Sequence, residues 1–317
     1  MPDYDIIEAD YKNYNRLIND DILDFRGAVF YHPEFLRISA EILGLEFSPL
    51  VCLRDDQVVG LMNLLAGRRS IFKTALIPTL FQYFGPVSLT INTEINKRMI
   101  ARTINRFDSV ILSLLPGIDD EFIGWRKKQR ISYMLAPDTF DNLKKNCAPD
   151  IKNKVNKSLK AGVEIKRVEA FDYGLYNASF RRQNIKPPVP EEPMTEWARK
   201  LTRAGLAETY IAYLDSRPVA IRTLLLGRKY AYTWVSGILP EFMSIGVNSL
   251  LILTIGEILY KRGVETWDFG GGEIKSIGRF KKAFGATGYT HLQIEKNSNW
   301  KGALYRALMK AKAGLNG

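Results

Sequence analysis

Several side chains in the last third of the sequence are of types that move protons and stabilise charge. Asp268 and Glu273 flank the glycine run 270–272, and as the nearest carboxylates either could act as a general base. Lys281 follows on the next predicted helix and could supply a positive charge to a reacting group. The phenol of Tyr232, on a predicted strand, could protonate a leaving group. These four residue types suit acid–base chemistry beside a glycine-rich turn.

Each of these side chains also has an ordinary structural explanation. Lys281 could be a solvated lysine or an ion-pair partner on an exposed face. Asp268 stands at a strand end, where aspartate often bonds the local backbone. Tyr232 alternates with Tyr230 and Trp234 along one strand, as aromatic residues that face a core do. The sequence leaves the catalytic and the structural explanations open.

A second group of residues lies where a predicted strand leads through a glycine-bearing turn into a long predicted helix. The turn is Met243-Ser244-Ile245-Gly246-Val247-Asn248. A helix start aims free backbone N–H groups and the positive end of the helix dipole at one point, which attracts a phosphate. We therefore expect residues 244–248 to bind the phosphates of a cofactor-like ligand. Gly270 and Gly271 could let the same ligand approach the backbone closely.

The formal charge of +11 is unevenly distributed over the 317 residues. Residues 1–140 hold 16 basic and 18 acidic side chains, whereas residues 141–317 hold 29 and 16. The basic second part predicts an anionic partner, such as a nucleotide, a phosphorylated substrate, nucleic acid or a membrane surface. Lys154 and Lys157, in the basic run 144–160, and Arg279 are the candidates for binding such a substrate. A solvated helix face is the alternative explanation of the run.

The composition excludes several classes of protein. A hydrophobic fraction of 46% with 25% charged residues is typical of a folded globular chain, not of a disordered one. Two cysteines and two histidines are too few for a disulfide framework or a structural zinc site, so we expect no metal. The acidic N-terminus predicts no targeting segment, and prolines interrupt the uncharged stretch 74–93, so no membrane span is expected. A cytoplasmic location fits best.

The C-terminal segment has the pattern of a basic amphipathic helix. Its apolar residues recur at helical spacing, namely Trp300, Ala303, Leu304, Ala307, Leu308 and Ala311. We expect this stripe to pack on the body of the protein, as most amphipathic helices of globular proteins do. Peripheral contact with an anionic bilayer at the inner membrane face is the alternative.

Hydrophobic periodicity predicts an α+β chain. The main predicted helices cover residues 32–43, 94–107, 172–184, 194–204, 244–262 and 277–284. The main predicted strands cover residues 51–54, 58–65, 109–115, 132–135, 163–168, 207–214, 218–226, 230–237, 265–269 and 291–295. Both halves show helices, an antiparallel hairpin, and then a helix and a strand. This order predicts one module used twice, with domains at residues 1–140 and 141–317.

Three stretches resemble the Fem-type peptidoglycan bridge aminoacyltransferases and their acetyltransferase-like relatives, a branch of the GNAT superfamily. The first stretch is the basic helix 152–164, which ends in Gly-Val. The second is the glycine turn and helix at 246–263. The third combines Asp-Phe-Gly-Gly at 268–271 with Phe-Lys-x-x-Phe-Gly at 280–285. A His-Pro-Glu-Phe helix start at 32–35 extends the resemblance over most of the chain.

The resemblance implies two tandem GNAT-like domains with mixed sheets flanked by helices. It also implies an acyl or aminoacyl transferase whose donor, a CoA thioester or an aminoacyl-tRNA, is held by the second domain. Lys281 matches the family lysine that stabilises charge at the transfer centre. A small molecule or a cell-envelope precursor of peptidoglycan would supply the acceptor amine, which attacks the donor directly in an interdomain cleft. No cysteine lies near a histidine in the sequence, so a covalent enzyme intermediate is not expected.

A non-catalytic protein is the alternative function. Such a protein would use a GNAT fold and its basic C-terminal half to bind nucleic acid or anionic lipid. Met243 and Asn248 depart from the phosphate-loop pattern of the superfamily and favour this alternative. Lys281 and the glycine runs favour the enzyme.

Overall fold

The computed structural model describes residues 4–90, 92–118 and 122–315. The helices in these residues are α1 (Tyr11–Leu17), α2 (Pro33–Leu43), α3 (Thr93–Ile104), α4 (Phe140–Asn146), α5 (Pro149–Lys160), α6 (Tyr173–Arg182), α7 (Glu191–Arg203), α8 (Val247–Lys261), α9 (Lys275–Lys282) and α10 (Trp300–Leu315). Short 3₁₀ helices cover Ala28–Tyr31 and Pro240–Phe242.

The strands are β1 (Asp5–Glu8), β2 (Glu46–Phe47), β3 (Leu50–Arg54), β4 (Gln57–Met62), β5 (Leu65–Arg69), β6 (Phe72–Ala75), β7 (Pro86–Ser88), β8 (Ser109–Ser113), β9 (Arg126–Leu135), β10 (Glu164–Val168), β11 (Ala207–Leu214), β12 (Arg217–Leu226), β13 (Tyr230–Ile238), β14 (Thr266–Gly271) and β15 (Thr287–Asn297). Mixed sheets flanked by helices confirm the predicted α+β class. Among the described residues, no helix combines the length and the apolar character needed to cross a bilayer.

The chain divides into two compact units. One unit comprises Met1–Arg130 and Thr290–Gly317, and the other comprises Ile131–Tyr289. This division differs from the boundary at residue 140 that the sequence suggested. The C-terminal segment belongs to the first unit because β15 pairs antiparallel with β8, from Gln293 opposite Ser113 to Asn297 opposite Ser109.

The second unit contains the sheet order β10-β11-β12-β13-β14-β9. All neighbours in it are antiparallel except β13 and β14, which run parallel. The parallel pair lasts for only three residue pairs and ends at Tyr232 opposite Asp268. Beyond that point β13 continues to Ile238 on β12 alone, while β14 continues to Gly271 on β9. The two parallel strands therefore separate, and backbone groups between them lose their ladder partners.

The apolar helix α8 forms much of the core of the second unit. Its buried side chains include Val247, Leu250, Leu251 and Leu259, which belong to one cluster with Trp267 of β14. The helix begins at Val247, three residues later than expected. Gly246 has a φ of +83°, which a helix cannot contain, and so it forms the N-cap.

In the first unit, the single strand predicted over residues 58–65 is wrong. β4 ends at Met62 and lies in the sheet β1-β3-β4-β7, whereas β5 begins at Leu65 in a different sheet. Asn63 lies fully buried at the break. Its Nδ2 donates to the carbonyl oxygens of Phe30 at 3.0 Å and Tyr83 at 3.1 Å. Its Oδ1 accepts from the Gly85 N–H at 2.7 Å, so one side chain satisfies three backbone groups.

The expected packing of the C-terminal apolar stripe on the protein is also wrong. Helix α10 contacts its unit through the opposite face, where Gly302 is so close to Asp108 that a Cβ would lie 1.9 Å from its carbonyl oxygen. Tyr305 packs on Phe72 with ring centroids 5.4 Å apart. A glycine and a tyrosine make this contact, so a pattern search for aliphatic side chains selects the wrong face.

Replacing Asn63 by alanine tests the role of this side chain at the strand break. Asn63→Ala leaves buried backbone donors and acceptors unpaired, so we expect it to lower the free energy of unfolding by at least about 3 kcal/mol. The measurement is urea unfolding followed by circular dichroism. The matched control is Asn153→Ala on the exposed face of α5, which should change stability by less than about 0.5 kcal/mol. Equal effects of the two substitutions would contradict the assignment.

Candidate active site in the second unit

Lys281, in the last turn of α9, binds the end of β14. Its Nζ donates hydrogen bonds to the carbonyl oxygens of Phe269, Gly270 and Gly271 at 2.6, 2.9 and 2.5 Å. The three oxygens converge because β14 is bulged after Asp268 and because Gly270 has a φ of +73°. An ammonium group has three donors, and all three are used here. A positive charge is therefore fixed where β13 and β14 separate.

Asp268 stabilises the same bend. Its Oδ1 accepts from the Gly270 N–H at 2.8 Å, and its Oδ2 accepts a hydrogen bond from the Tyr289 hydroxyl. The carboxylate is only 1% exposed. The structural alternative for Asp268, a bond to the local backbone, is confirmed. Because both oxygens are occupied, the geometry favours a positioning role over a general-base role.

Arg222 of β12 is a buried cation that the sequence analysis did not select. The residue is 6% exposed, and its Nη1 and Nη2 donate to Thr233 Oγ1 at 3.1 Å and Asn248 Oδ1 at 3.0 Å. Its guanidinium carbon lies 5.9 Å from the ring centroid of Trp267. Within the described residues its Nε has no acceptor and no carboxylate pairs with it. A buried cation without an anion is costly, so this position suits a negatively charged or strongly polar ligand group.

Burial shifts the pKa of both cations, and Arg222 also affects the pKa of Lys281. Burial lowers the pKa of Lys281 to about 8, and the positive charge of Arg222 lowers it in the same direction. The carboxylates of Asp268 and Glu273 oppose these effects and raise the Lys281 pKa. Burial lowers the pKa of Arg222 to about 10. Lys281 is thus still charged at neutral pH but loses its proton within an accessible pH range.

The N-terminus of α8 lies beside Arg222 through Asn248. Ser249 and Leu250 donate their N–H groups to the Gly246 carbonyl oxygen, at 2.8 and 3.2 Å. The N–H groups of Val247 and Asn248 precede these bonds and have no intrahelical acceptor. In the part of the chain that the structure describes, no side chain caps this helix end. Val247 is fully buried, so the N–H group of the partly exposed Asn248 and the helix dipole form the accessible anion site next to the under-bonded guanidinium.

The loop before α8 is seated on α5. A Cβ at Gly246 would lie 2.4 Å from Lys154 Cβ and 2.6 Å from the Lys154 carbonyl oxygen. Ser158 Oγ donates to the Ile245 carbonyl oxygen at 2.7 Å. Gly246 is thus required both by its positive φ and by the close approach of two backbones. Lys154 contacts this loop through its backbone and Cβ. Its Nζ lies 3.8 Å from the Asp150 carboxylate.

The glycine run packs against an aromatic ring. A Cβ at Gly272 would lie 2.2 Å from Tyr133 Cε2, and one at Gly278 would lie 2.9 Å from the Tyr133 hydroxyl oxygen. Gly288 approaches the same ring, with a Cβ placed 3.2 Å from Cε1. Part of the glycine content is therefore explained by the packing of Tyr133, which the sequence analysis did not identify.

The remaining predicted residues are spread over the unit. Tyr232 is 1% exposed, and this burial favours the core explanation that its alternation with Trp234 suggested. Glu273 is exposed, with its Oε2 3.2 Å from where a Cβ on Gly271 would lie. Lys157 and Arg279 are exposed. The structure thus gathers Lys281, Asp268, Glu273, Gly270 and Gly271 at one strand end, with Gly246 and Asn248 at the start of α8.

Two important partners have different sequence signals. Arg222 is the one charged residue inside the otherwise uncharged run 218–226, and a lone charge in a predicted buried strand is a usable signal. Tyr289 follows the expected helix in an unremarkable segment and has no local signal. In the described residues, no group of three histidine, cysteine, aspartate or glutamate side chains is placed to hold a metal ion.

Known proteins share the fold of this chain. Residues 145–282 match the family model of the acetyltransferase (GNAT) domain. No curated protein matches the chain. A crystal structure of FemX has a TM-score of 0.67 at 13% identity and covers 92% of this chain and 96% of its own.

Two further solved structures share the fold. A tandem GNAT protein from the clavulanic acid biosynthesis pathway has a TM-score of 0.53 at 10% identity, over 94% of this chain and 99% of its own. L-PGS from Bacillus licheniformis has a TM-score of 0.53 at 12% identity, over 84% of this chain and 92% of its own. The predicted tandem GNAT-like fold is confirmed. Residues 145–282 are thus similar to the acetyltransferase (GNAT) domain family, and the whole chain has the fold of FemX and of tandem GNAT proteins.

Proposed function

We propose that the chain is an acyl or aminoacyl transferase that moves an acyl group from a phosphate-bearing donor to an amine. The observation that carries the proposal is the pair of cations, Arg222 and Lys281, next to the free N-terminus of α8 where β13 and β14 separate. Arg222 lacks a carboxylate partner among the described residues, and its Nε lacks an acceptor. An anionic or strongly polarised ligand would satisfy both.

The donor site in this proposal is the start of α8. The N–H group of Asn248, in the partly exposed first turn of α8, would bind a phosphate oxygen, as helix N-termini commonly do. Both candidate donors, a CoA thioester and an aminoacyl-tRNA, carry phosphate groups. The asparagine at position 248 has a structural role, because its Oδ1 accepts a hydrogen bond from Arg222. The departure of Asn248 from the superfamily loop pattern therefore has a structural reason and does not argue against a donor site.

The chemistry is direct attack of a neutral amine on the donor carbonyl carbon. The new C–N bond forms, the C–S or C–O bond to the donor breaks, and the amine loses a proton. Negative charge develops on the carbonyl oxygen, and Lys281 and Arg222 stabilise it electrostatically. One such interaction is commonly worth about 3 kcal/mol of transition-state stabilisation. The exposed carboxylate of Glu273 accepts the proton that the amine loses, and that proton passes to the leaving thiolate sulfur or alkoxide oxygen. Asp268 and Tyr289 hold the strand end that positions Lys281.

Donor binding is tested by calorimetric titration with acetyl-CoA, a longer acyl-CoA and an aminoacyl-tRNA. We expect one of these donors to bind saturably to the wild-type chain. The same donor should bind much more weakly to Gly246→Ala, because the added Cβ collides with Lys154 and moves the start of α8. The reaction is then followed with a panel of amines by release of the free thiol or the deacylated tRNA.

Gly263→Ala is the matched control for this substitution. Gly263 has a φ of +75°, close to that of Gly246, but nothing lies within 4 Å of its added Cβ. Gly263→Ala should lower the free energy of unfolding by about 1 kcal/mol, because alanine disfavours the positive φ, and should leave donor binding unchanged. Equal donor binding by both variants would contradict the α8 site. Salt-sensitive binding of nucleic acid without saturable binding of any donor would favour the non-catalytic alternative.

The pH dependence of the transfer rate tests the role of Lys281. If the charged form is required, the rate should fall as pH rises through about 8, where Lys281 loses its proton. Lys281→Arg stays charged over this range and should lack that decrease. Lys281→Met should be slow at every pH. Lys282→Met, at the exposed neighbouring position, is the control and should keep the wild-type profile. A rate that rises through pH 8 in the wild type would contradict the proposed role.

The free energy of unfolding should rise with pH over the range in which the transfer rate falls. The ordinary lysine pKa of 10.5 lies above the folded value of about 8, so the unfolded chain binds more protons between these two values. The contribution of Lys281 to the free energy of unfolding therefore increases as pH rises through this interval. Comparing wild type with Lys281→Met by urea unfolding at both ends of the interval isolates the effect. A stability difference independent of pH would show that the Lys281 pKa is not lowered.

A further inference from the structure

Helix α10 presents an apolar face to solvent. Trp300 is 67% exposed, Leu304 is 42% exposed and Leu308 is 52% exposed. These residues are spaced by four and so lie along one side of the helix. The contact face, with Gly302 and Tyr305, lies on the other side. A row of large exposed apolar side chains on one helix is unusual for a soluble surface and marks a site of contact.

A basic groove runs along the same helix. It has a volume of about 500 Å³ and lies between α10, the end of β15 and the segment at Gly124 and Arg126. Its charged lining residues are Arg126, Glu295, Lys296, Arg306 and Lys310. The single carboxylate, Glu295, is paired with Arg306 at 2.8 Å.

Three cations in this groove remain uncompensated. Within the described residues, Arg126, Lys296 and Lys310 have no carboxylate partner, and Lys296 lies over the Trp125 ring at 5.8 Å. Ile123, which precedes the lining residue Gly124 in the sequence, is 84% exposed. Among the described residues, the groove thus combines excess positive charge with the exposed apolar side chains of α10.

We propose that this surface of the first unit, formed by α10 and the groove, binds the surface of a bilayer that contains anionic phospholipid. Leu304, Leu308 and Trp300 insert at the level of the headgroups, and a lipid phosphate lies in the groove against Arg126, Lys296 and Lys310. An apolar helix face bordered by cations is the arrangement that anionic interfaces bind.

Vesicle co-sedimentation of the full chain tests this surface. The probe is vesicles of phosphatidylglycerol with phosphatidylcholine, compared with phosphatidylcholine alone. We expect binding to the anionic vesicles only, with weakening when sodium chloride is raised from about 0.05 M to about 0.5 M. Leu304→Glu with Leu308→Glu should weaken binding by more than about tenfold. Arg126→Glu with Lys310→Glu should weaken it comparably.

The matched control is Leu159→Glu with Ile185→Glu. Both side chains are exposed to a similar extent as Leu304 and Leu308 but lie in the second unit, and the added charge is the same. This double variant should bind anionic vesicles nearly as well as the wild type. Thermal unfolding of every variant checks that the fold is kept.

Three results would overturn the proposal. The wild type could remain unbound by anionic vesicles, or the α10 and groove variants could bind as the wild type does. Sedimentation equilibrium could instead reveal a dimer that the Leu304 and Leu308 substitutions dissociate, which would assign the apolar face to a second copy. None of these measurements depends on acyl transfer, so the result stands apart from the proposed function.

Discussion

The interaction on which the second unit depends is the binding of the Lys281 ammonium to the three carbonyl oxygens of Phe269, Gly270 and Gly271. Carbonyl dipoles that converge in a partly buried space repel one another unless a hydrogen-bond donor lies between them. The bulge of β14, the positive φ of Gly270 and the two bonds of Asp268 are all needed to bring these oxygens together. The Lys281 side chain thus both stabilises the end of β14 and places a charge where chemistry could use it.

Arg222 connects this strand end to the donor loop. Through Thr233 it is tied to β13, and through Asn248 it is tied to the first turn of α8. The same guanidinium stacks near Trp267, whose Nε1 also donates to Thr233 Oγ1 at 3.1 Å. A ligand bound to the α8 N-terminus would therefore act on the sheet through a short, buried hydrogen-bonded path. The absence of any carboxylate along this path, within the described residues, keeps its net charge positive.

The sequence predicted those elements that depend on residues close together in the chain. The hairpin strands β11 to β13 and the helix α8 follow from apolar runs and turn residues, and the Asp-Phe-Gly-Gly segment was found from its glycines. The bonds of Asp268 and Gly270 are also local. The Tyr289 contact and the Tyr133 ring join residues far apart in sequence, so no window of the sequence could reveal them. The strand predicted over residues 58–65 was wrong for the same reason. The chain breaks at Asn63, whose hydrogen-bond partners Phe30, Tyr83 and Gly85 are distant in the sequence.

The orientation of α10 also depends on contacts with residues distant in the sequence. Its apolar periodicity was read correctly, but the contact face was set by Gly302 at Asp108 and by the Tyr305 ring. Periodicity identifies a helix with two faces, and only the neighbouring elements decide which face is buried. The assignment of this helix to the first unit was likewise decided by the non-local pairing of β15 with β8.

The central claim is that a donor phosphate binds the α8 N-terminus next to Arg222. The amide chemical shift of Asn248, measured by NMR on selectively labelled protein during titration with the binding donor, tests it most directly. We expect this amide to show the largest downfield shift, together with the Arg222 Nε–H. An unchanged Asn248 amide, with perturbations confined to the exposed lysines of α5, would contradict the claim.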